Sequence, residues 1–249
     1  MFTIAAALIA ACGLAVAVLG IRAELRPRTF TPAQQRRIEA WEVAKRWRST
    51  PKSRLFPAAV KYRLGGSPTS GRSAEGIFLR ASRLAIAPQA SCAATAGSKA
   101  LVGRLAGEGC VALLRSTYVD STGSLVLTAG IAVLKNKADA TATAHFLTGG
   151  PATGEGGPAR LVLRPFAVSG TPAAGYGWAQ RQFSWVVAAG PYLVMTTVAY
   201  ADGRSRVPVT TDPYLAVEMT SFARAVAVHV AAPLGANPPV PRCPGVPSC

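Results

Sequence analysis

A chain of 249 residues has room for one large domain, or a medium one with appendages, and half of its residues are apolar while only 15% are charged. Its 27 Lys and Arg against 11 Asp and Glu leave a net charge of +16, which marks attraction to polyanions in general. Eight of the acidic residues lie beyond position 63 with no motif setting two together, so a paired-carboxylate hydrolase has no support.

Residues 2–21, FTIAAALIAACGLAVAVLGI, carry no charge. At about 1.5 Å per residue such a run just spans a bilayer, and an uncleaved transmembrane anchor is expected over residues 1–22. A signal peptide lacks its basic leader here, and Ile9 to Gly13 resembles a lipobox that would acylate Cys12. Residues 23–56 form a basic juxtamembrane stretch: positions 22–63 hold twelve Lys or Arg against three Glu. Thr31 and Pro32 suit the start of a helix over 33–49, ended by Pro51. Arg36, Arg37, Trp41, Lys45, Arg46 and Trp47 interleave basic and aromatic side chains, as an interfacial helix on anionic lipid does; a helix packed on the domain with its charges in water is the competing reading.

The globular domain is expected over 57–232. Its strand signals are GIFLRASRLAI (76–86), a hairpin of 111–119 and 124–134, RLVLRPFAV (160–168), where Pro165 argues for an edge or a bulge, and two strands joined at Gly190 and Pro191. Asn136 caps a helix over 137–147, and Thr211 to Pro213 start another whose apolar face is Leu215, Met219, Phe222, Val226 and Val230. Hairpin then helix, twice, predicts an α+β fold: an antiparallel sheet with helices packed on one side, with a duplicated hairpin-helix unit. Asp120 and Asp202, in YVDSTG and YADG, fall at corresponding points of the two rounds, each read as a turn cap. A Pro-rich tail, 233–249, ends in CPGVPSC.

Four cysteines follow the anchor without metal-ligand spacing. Of three pairings the local ones are expected, Cys92 with Cys110 and Cys243 with Cys249; four free thiols are the alternative. Disulfides need an oxidising compartment, whereas the arginines after the apolar run place the chain in the cytoplasm by the positive-inside rule. The cysteine pattern decides the expectation: a single-pass cell-membrane protein with an extracytoplasmic domain, the cytoplasmic topology being the alternative.

Chemistry-bearing motifs are absent from the sequence. TGGPATGEGG (148–157) lacks a P-loop ending and reads as a surface loop, and no HExxH, GxSxG or calcium loop occurs. His145 and His229 sit in helix signals and read as packed or surface residues. No catalytic, metal or cofactor residue is nominated. Tyr176 and Trp178 follow a flexible loop and are candidate partner contacts, unless Trp178 folds back over the sheet.

RAELRPRTFTPAQQRRIEAWEVAKRWR, GCVALLRSTYVDSTGSLVLTAGIAVL, AAGPYLVMTTVAYADGR and the cysteine tail together resemble uncharacterised single-pass membrane proteins of high-GC actinobacteria such as the streptomycetes. The resemblance covers most of the chain and implies no activity and no site residues. The function expected is therefore a non-catalytic, membrane-anchored module with the lipid bilayer and another membrane or envelope protein as partners, and no specific nucleic acid. The alternatives are an extracytoplasmic ligand-sensing domain and a tethered enzyme.

Overall fold

The computed structural model describes residues 31–64, 77–149, 153–155, 163–206 and 213–236. Among them are the helices α1 (Pro32–Ser49), α2 (Lys52–Leu55), α3 (Cys92–Thr95), α4 (Lys99–Gly107), α5 (Lys137–Thr148) and α6 (Pro213–Gly235). The strands are β1 (Ala59–Arg63), β2 (Phe78–Ile86), β3 (Ala112–Asp120), β4 (Leu125–Val133), β5 (Thr153–Glu155), β6 (Arg181–Ala189) and β7 (Tyr192–Tyr200). Of the described residues, 31–42 fall in one unit and those from 43 to 236 in another.

In the first unit Thr31 caps α1 reciprocally: its Oγ1 accepts the Gln34 N–H at 3.3 Å, and the Gln34 amide oxygen accepts the Thr31 N–H at 2.9 Å. Arg36, Arg37 and Trp41 are exposed, Trp41 at 53%.

In the second unit all seven strands pair antiparallel in the order β1-β2-β3-β4-β7-β6-β5. The two expected hairpins are present and lie side by side through β4 and β7. Gly190, at φ +60°, makes the tight turn between β6 and β7 that a side chain would strain.

Helices cover both faces, which corrects the one-sided expectation. Along β4 and β7 nearly every residue is buried, because alternate side chains feed separate cores. Leu127, Ile131, Val194 and Val198 pack on one face with Met219, Phe222, Val226 and Val230 of α6. Ala132, Leu193 and Met195 pack on the other with Leu101 and Leu105 of α4 and Ala140, Ala144 and Leu147 of α5. The helix after the first hairpin and the helix after the second thus lie on opposite faces. The aspartates are inequivalent too, since Asp120 closes the β3–β4 hairpin tip whereas Asp202 follows the second strand of its hairpin. Each does cap its turn. Asp120 Oδ1 accepts the Leu125 N–H at 2.8 Å and Oδ2 the Thr122 N–H at 2.9 Å, and Asp202 Oδ1 accepts the Arg204 N–H at 3.0 Å.

The carboxyl half of α1 belongs to this fold. Trp47 is buried, the Tyr192 hydroxyl accepts its N–H and donates to Val43 O, and Arg46 donates to the carbonyls of Pro233 (3.2 Å) and Leu234 (2.9 Å) at the end of α6. A guanidinium there satisfies orphan carbonyls and the negative end of the helix dipole. Trp47 and Arg46 are therefore used inside the domain rather than at a lipid surface, and the face turned inward is Val43, Arg46 and Trp47, with Trp41 and Ala44 exposed.

The expected membrane anchor is corrected as well. No helix among the described residues is long and apolar enough to cross a membrane, and residues 2–21, with Cys12, lie outside them. The expectations that hung on that anchor fall with it: a membrane-tethered module, the bilayer and a membrane protein as partners, and a single-pass location.

The Cys92–Cys110 disulfide is present and closes a separation of 18 residues, while Cys243 and Cys249 lie outside the described residues. It ties α3, whose cap is the Ser91 hydroxyl, to the residue pair entering β3, and so holds α3 and α4 over the second core. The double variant Cys92→Ser, Cys110→Ser is expected to lose about 2–4 kcal/mol in urea unfolding, the ordinary worth of a structural bridge of this span.

A second prediction concerns pH. Burial raises the phenol pKa values of Tyr62, Tyr118, Tyr176 and Tyr192. A raised folded value gives stability that is complete below about pH 10 and is lost as the pH climbs toward that value. Ultraviolet titration is expected to show most tyrosinate absorbance appearing together with alkaline unfolding. Ionisation of all six tyrosines ahead of unfolding would contradict it.

Candidate functional site

Across the second face runs a row of hydroxyls in register: Thr117 pairs with Thr128, Thr128 with Thr197, and Ser184 with Thr197, all buried. Buried hydroxyls need partners, and a segment laid over the sheet supplies them. Thr117 Oγ1 donates to Phe166 O at 2.6 Å, Thr128 Oγ1 accepts the Phe166 N–H at 3.0 Å, and Arg115 donates to Arg164 O at 3.0 Å.

Of this segment, expected as a strand over 160–168, the described residues 163–168 run across the face as a strap. Leu163 makes a single bridge to Ala96 and then fills the space above Gly130, where a Cβ would come within 2.6 Å of its Cδ1. Pro165 offers no N–H for a strand ladder, so side chains of the sheet take over the bonding.

The strap ends in a buried anchor. Tyr176 is fully enclosed, its hydroxyl donates to Thr197 O, and it packs with Val126, Ala173 and Ala199. Of the two aromatic contacts expected from sequence, Tyr176 is thus a positioning residue, whereas Trp178 stands 40% exposed two residues later. The Gly177 N–H bonds to the Gln180 amide oxygen at 3.1 Å, closing the short loop that carries the indole.

Three arginines gather around that loop. Arg181 lies on the Trp178 ring, its guanidinium carbon 3.6 Å from the centroid, and donates to Trp178 O. Arg204 lies 4.5 Å from the Tyr200 ring centroid and pairs with Asp202. Arg206 is brought alongside by its N–H to Ala179 O at 2.9 Å, and Gln182 ties the two segments by donating to Gln180 O and Ser205 O. Burial, and then the charge of Arg206, lower the pKa of Arg181, although it stays a cation. Arg204 already holds Asp202, and among the described residues neither Arg181 nor Arg206 is paired with a carboxylate.

The remaining candidates are dispersed. His145 and His229 are exposed on α5 and α6, with His229 Nδ1 2.8 Å from Ala225 O. Among the described residues no group of three or more His, Cys, Asp and Glu could hold a metal. The arginine set escapes sequence reading because Arg181, Arg204 and Arg206 belong to no spacing motif and meet only when β6 pairs with β7. Comparison with family models, with curated proteins and with solved structures finds no match.

The anchor role of Tyr176 is testable. Tyr176→Phe keeps the ring but removes one buried hydrogen bond, so stability should fall by about 1 kcal/mol. Because the loop hangs from that anchor, the Trp178 emission, isolated by difference from Trp178→Phe, should shift toward that of a solvated indole.

Proposed function

We propose that the chain is a ligand-binding module that takes an anionic group, a carboxylate or phosphate, at Trp178, Arg181 and Arg206. The observation that carries this reading is the pairing of two guanidinium groups that repel one another, neither of them answered by a carboxylate among the described residues, beside an exposed indole.

Stacking on Trp178 covers one face of Arg181 and fixes its plane, so an anion in that plane meets N–H groups already oriented. The exposed remainder of the indole adds apolar surface for the body of the ligand. An anion would also relieve the repulsion between Arg181 and Arg206, so the site gains on binding what it lacks when empty. This is the ligand-sensing alternative of the sequence reading with its chemistry specified.

The experiment is titration of the full chain with inorganic phosphate and with a small aromatic phosphate, followed by calorimetry and Trp178 emission. Charge-assisted guanidinium bonds are worth about 1.5–3 kcal/mol each, so Arg181→Gln or Arg206→Gln should weaken binding about tenfold or more. Arg36→Gln with Arg37→Gln, which lowers net charge equally or more, should leave it unchanged. Equal loss in the two sets would show diffuse attraction to a basic chain, and no phosphate effect at Trp178 would end the reading.

A further inference from the structure

We propose that Tyr62, Asp120 and Glu218 form a binding site for a primary ammonium group; this inference goes beyond the anion site and does not depend on it. Asp120 and Tyr62 project from the α6 face of the sheet, because Tyr118 and Val60, two residues before each in the same strands, lie in the α6 core. Asp120 pairs with Ala81 and Tyr62 with Leu79 on the intervening strand β2, which sets the two groups near one another at the same end of the sheet. Glu218 stands one helical turn before Phe222, and the Phe222 ring stacks on Tyr62 with centroids 5.4 Å apart.

Tyr62 is only 4% exposed, and among the described residues its buried hydroxyl has no hydrogen-bond partner. Such a group costs free energy unless something outside the fold completes it. The charges that act on it are the two carboxylates, Asp120 and Glu218, and both raise its pKa after burial does. Glu218 is likewise raised, by burial first and then by Asp120. Among the described residues neither carboxylate is in an ion pair, in a chain where Lys and Arg outnumber acids 27 to 11. The hairpin turn does not exhaust Asp120 either. The Thr122 N–H and hydroxyl and the Leu125 N–H occupy three of its roughly four acceptor positions.

A primary ammonium group has three N–H donors and one positive charge, which matches one lone pair each from Asp120, Glu218 and the Tyr62 oxygen. A divalent metal fits less well, because three oxygen groups underfill a shell of about six to eight oxygens.

The test is titration of the full chain with n-butylammonium near neutral pH, read by calorimetry and by the side-chain NMR signals of Glu218 and Tyr62. Tetramethylammonium, which has the charge but no N–H, and calcium chloride are the comparison arms. Saturable shifts at both residues with butylammonium alone support the site, and Glu218→Gln or Tyr62→Phe should then weaken binding about tenfold or more. The wild-type shifts localise the site even if a variant misfolds. An equal response to tetramethylammonium would reduce it to diffuse charge attraction, a response to calcium alone would make it a metal site, and unmoved Tyr62 and Glu218 signals would overturn it.

Discussion

Strands β4 and β7 are buried on both faces, and the rest of the domain is arranged to keep them so. A strand with two apolar faces cannot stop at one helix layer, since about 25 cal/mol is lost for each Å² of apolar surface left in water. On one side α6 supplies Phe222, Val226 and Val230, with Trp47 and Phe56 closing the same core. On the other, α4 and α5 cover only part of the face. The strap through Leu163, Phe166 and Tyr176 covers the rest, and its backbone polar groups are answered by Thr117, Thr128 and Arg115.

That division explains why the hydroxyl row lies where it does. Threonine in a central strand is acceptable when a partner crosses above it, and an extended segment held by side chains is such a partner. The consequence reaches the surface. Because Tyr176 is locked against Thr197, the next residues must turn outward, and Trp178 emerges beside Arg181 at the start of β6. The placement of the exposed indole is thus a product of the interior seam.

What was legible in the sequence was what local pattern controls. The 111–134 hairpin, the Asn136 cap, the α6 face and the Cys92–Cys110 bridge all rest on short-range periodicity, turn residues or separation. The continuous apolar runs SLVLTAGIAVL and PYLVMTTVAY even held the sign that both sheet faces are covered, since a half-exposed strand would alternate. Tertiary pairing hid the rest. RLVLRPFAV has strand composition, yet its described part from Leu163 crosses the sheet, and Pro165 was a local sign against a regular ladder without showing where the segment would go. The inward face of α1 is decided by Tyr192 and by the end of α6, both more than 140 residues away. The arginines around Trp178 and the carboxylates near Tyr62 are brought together only by strand register.

Those two groupings share one end of the sheet, where β1 and β3 finish and β6 begins, and they carry opposite charge. Within each, like charges face one another: Arg206 works against Arg181, and Asp120 against Glu218. Exchanging one member of each set would pair the four charges of the two sets with one another, so a fold selected for stability alone has an available way to remove both repulsions. Retaining them lowers stability with no return from the interior. Charges left uncompensated among the described residues are the ones whose counter-charges we propose come from outside, because a stability cost borne at a site is what binding there can recover. On the two readings proposed above, the same end of the sheet would take two chemically distinct ligand groups, one anionic at the indole and one cationic beside Tyr62.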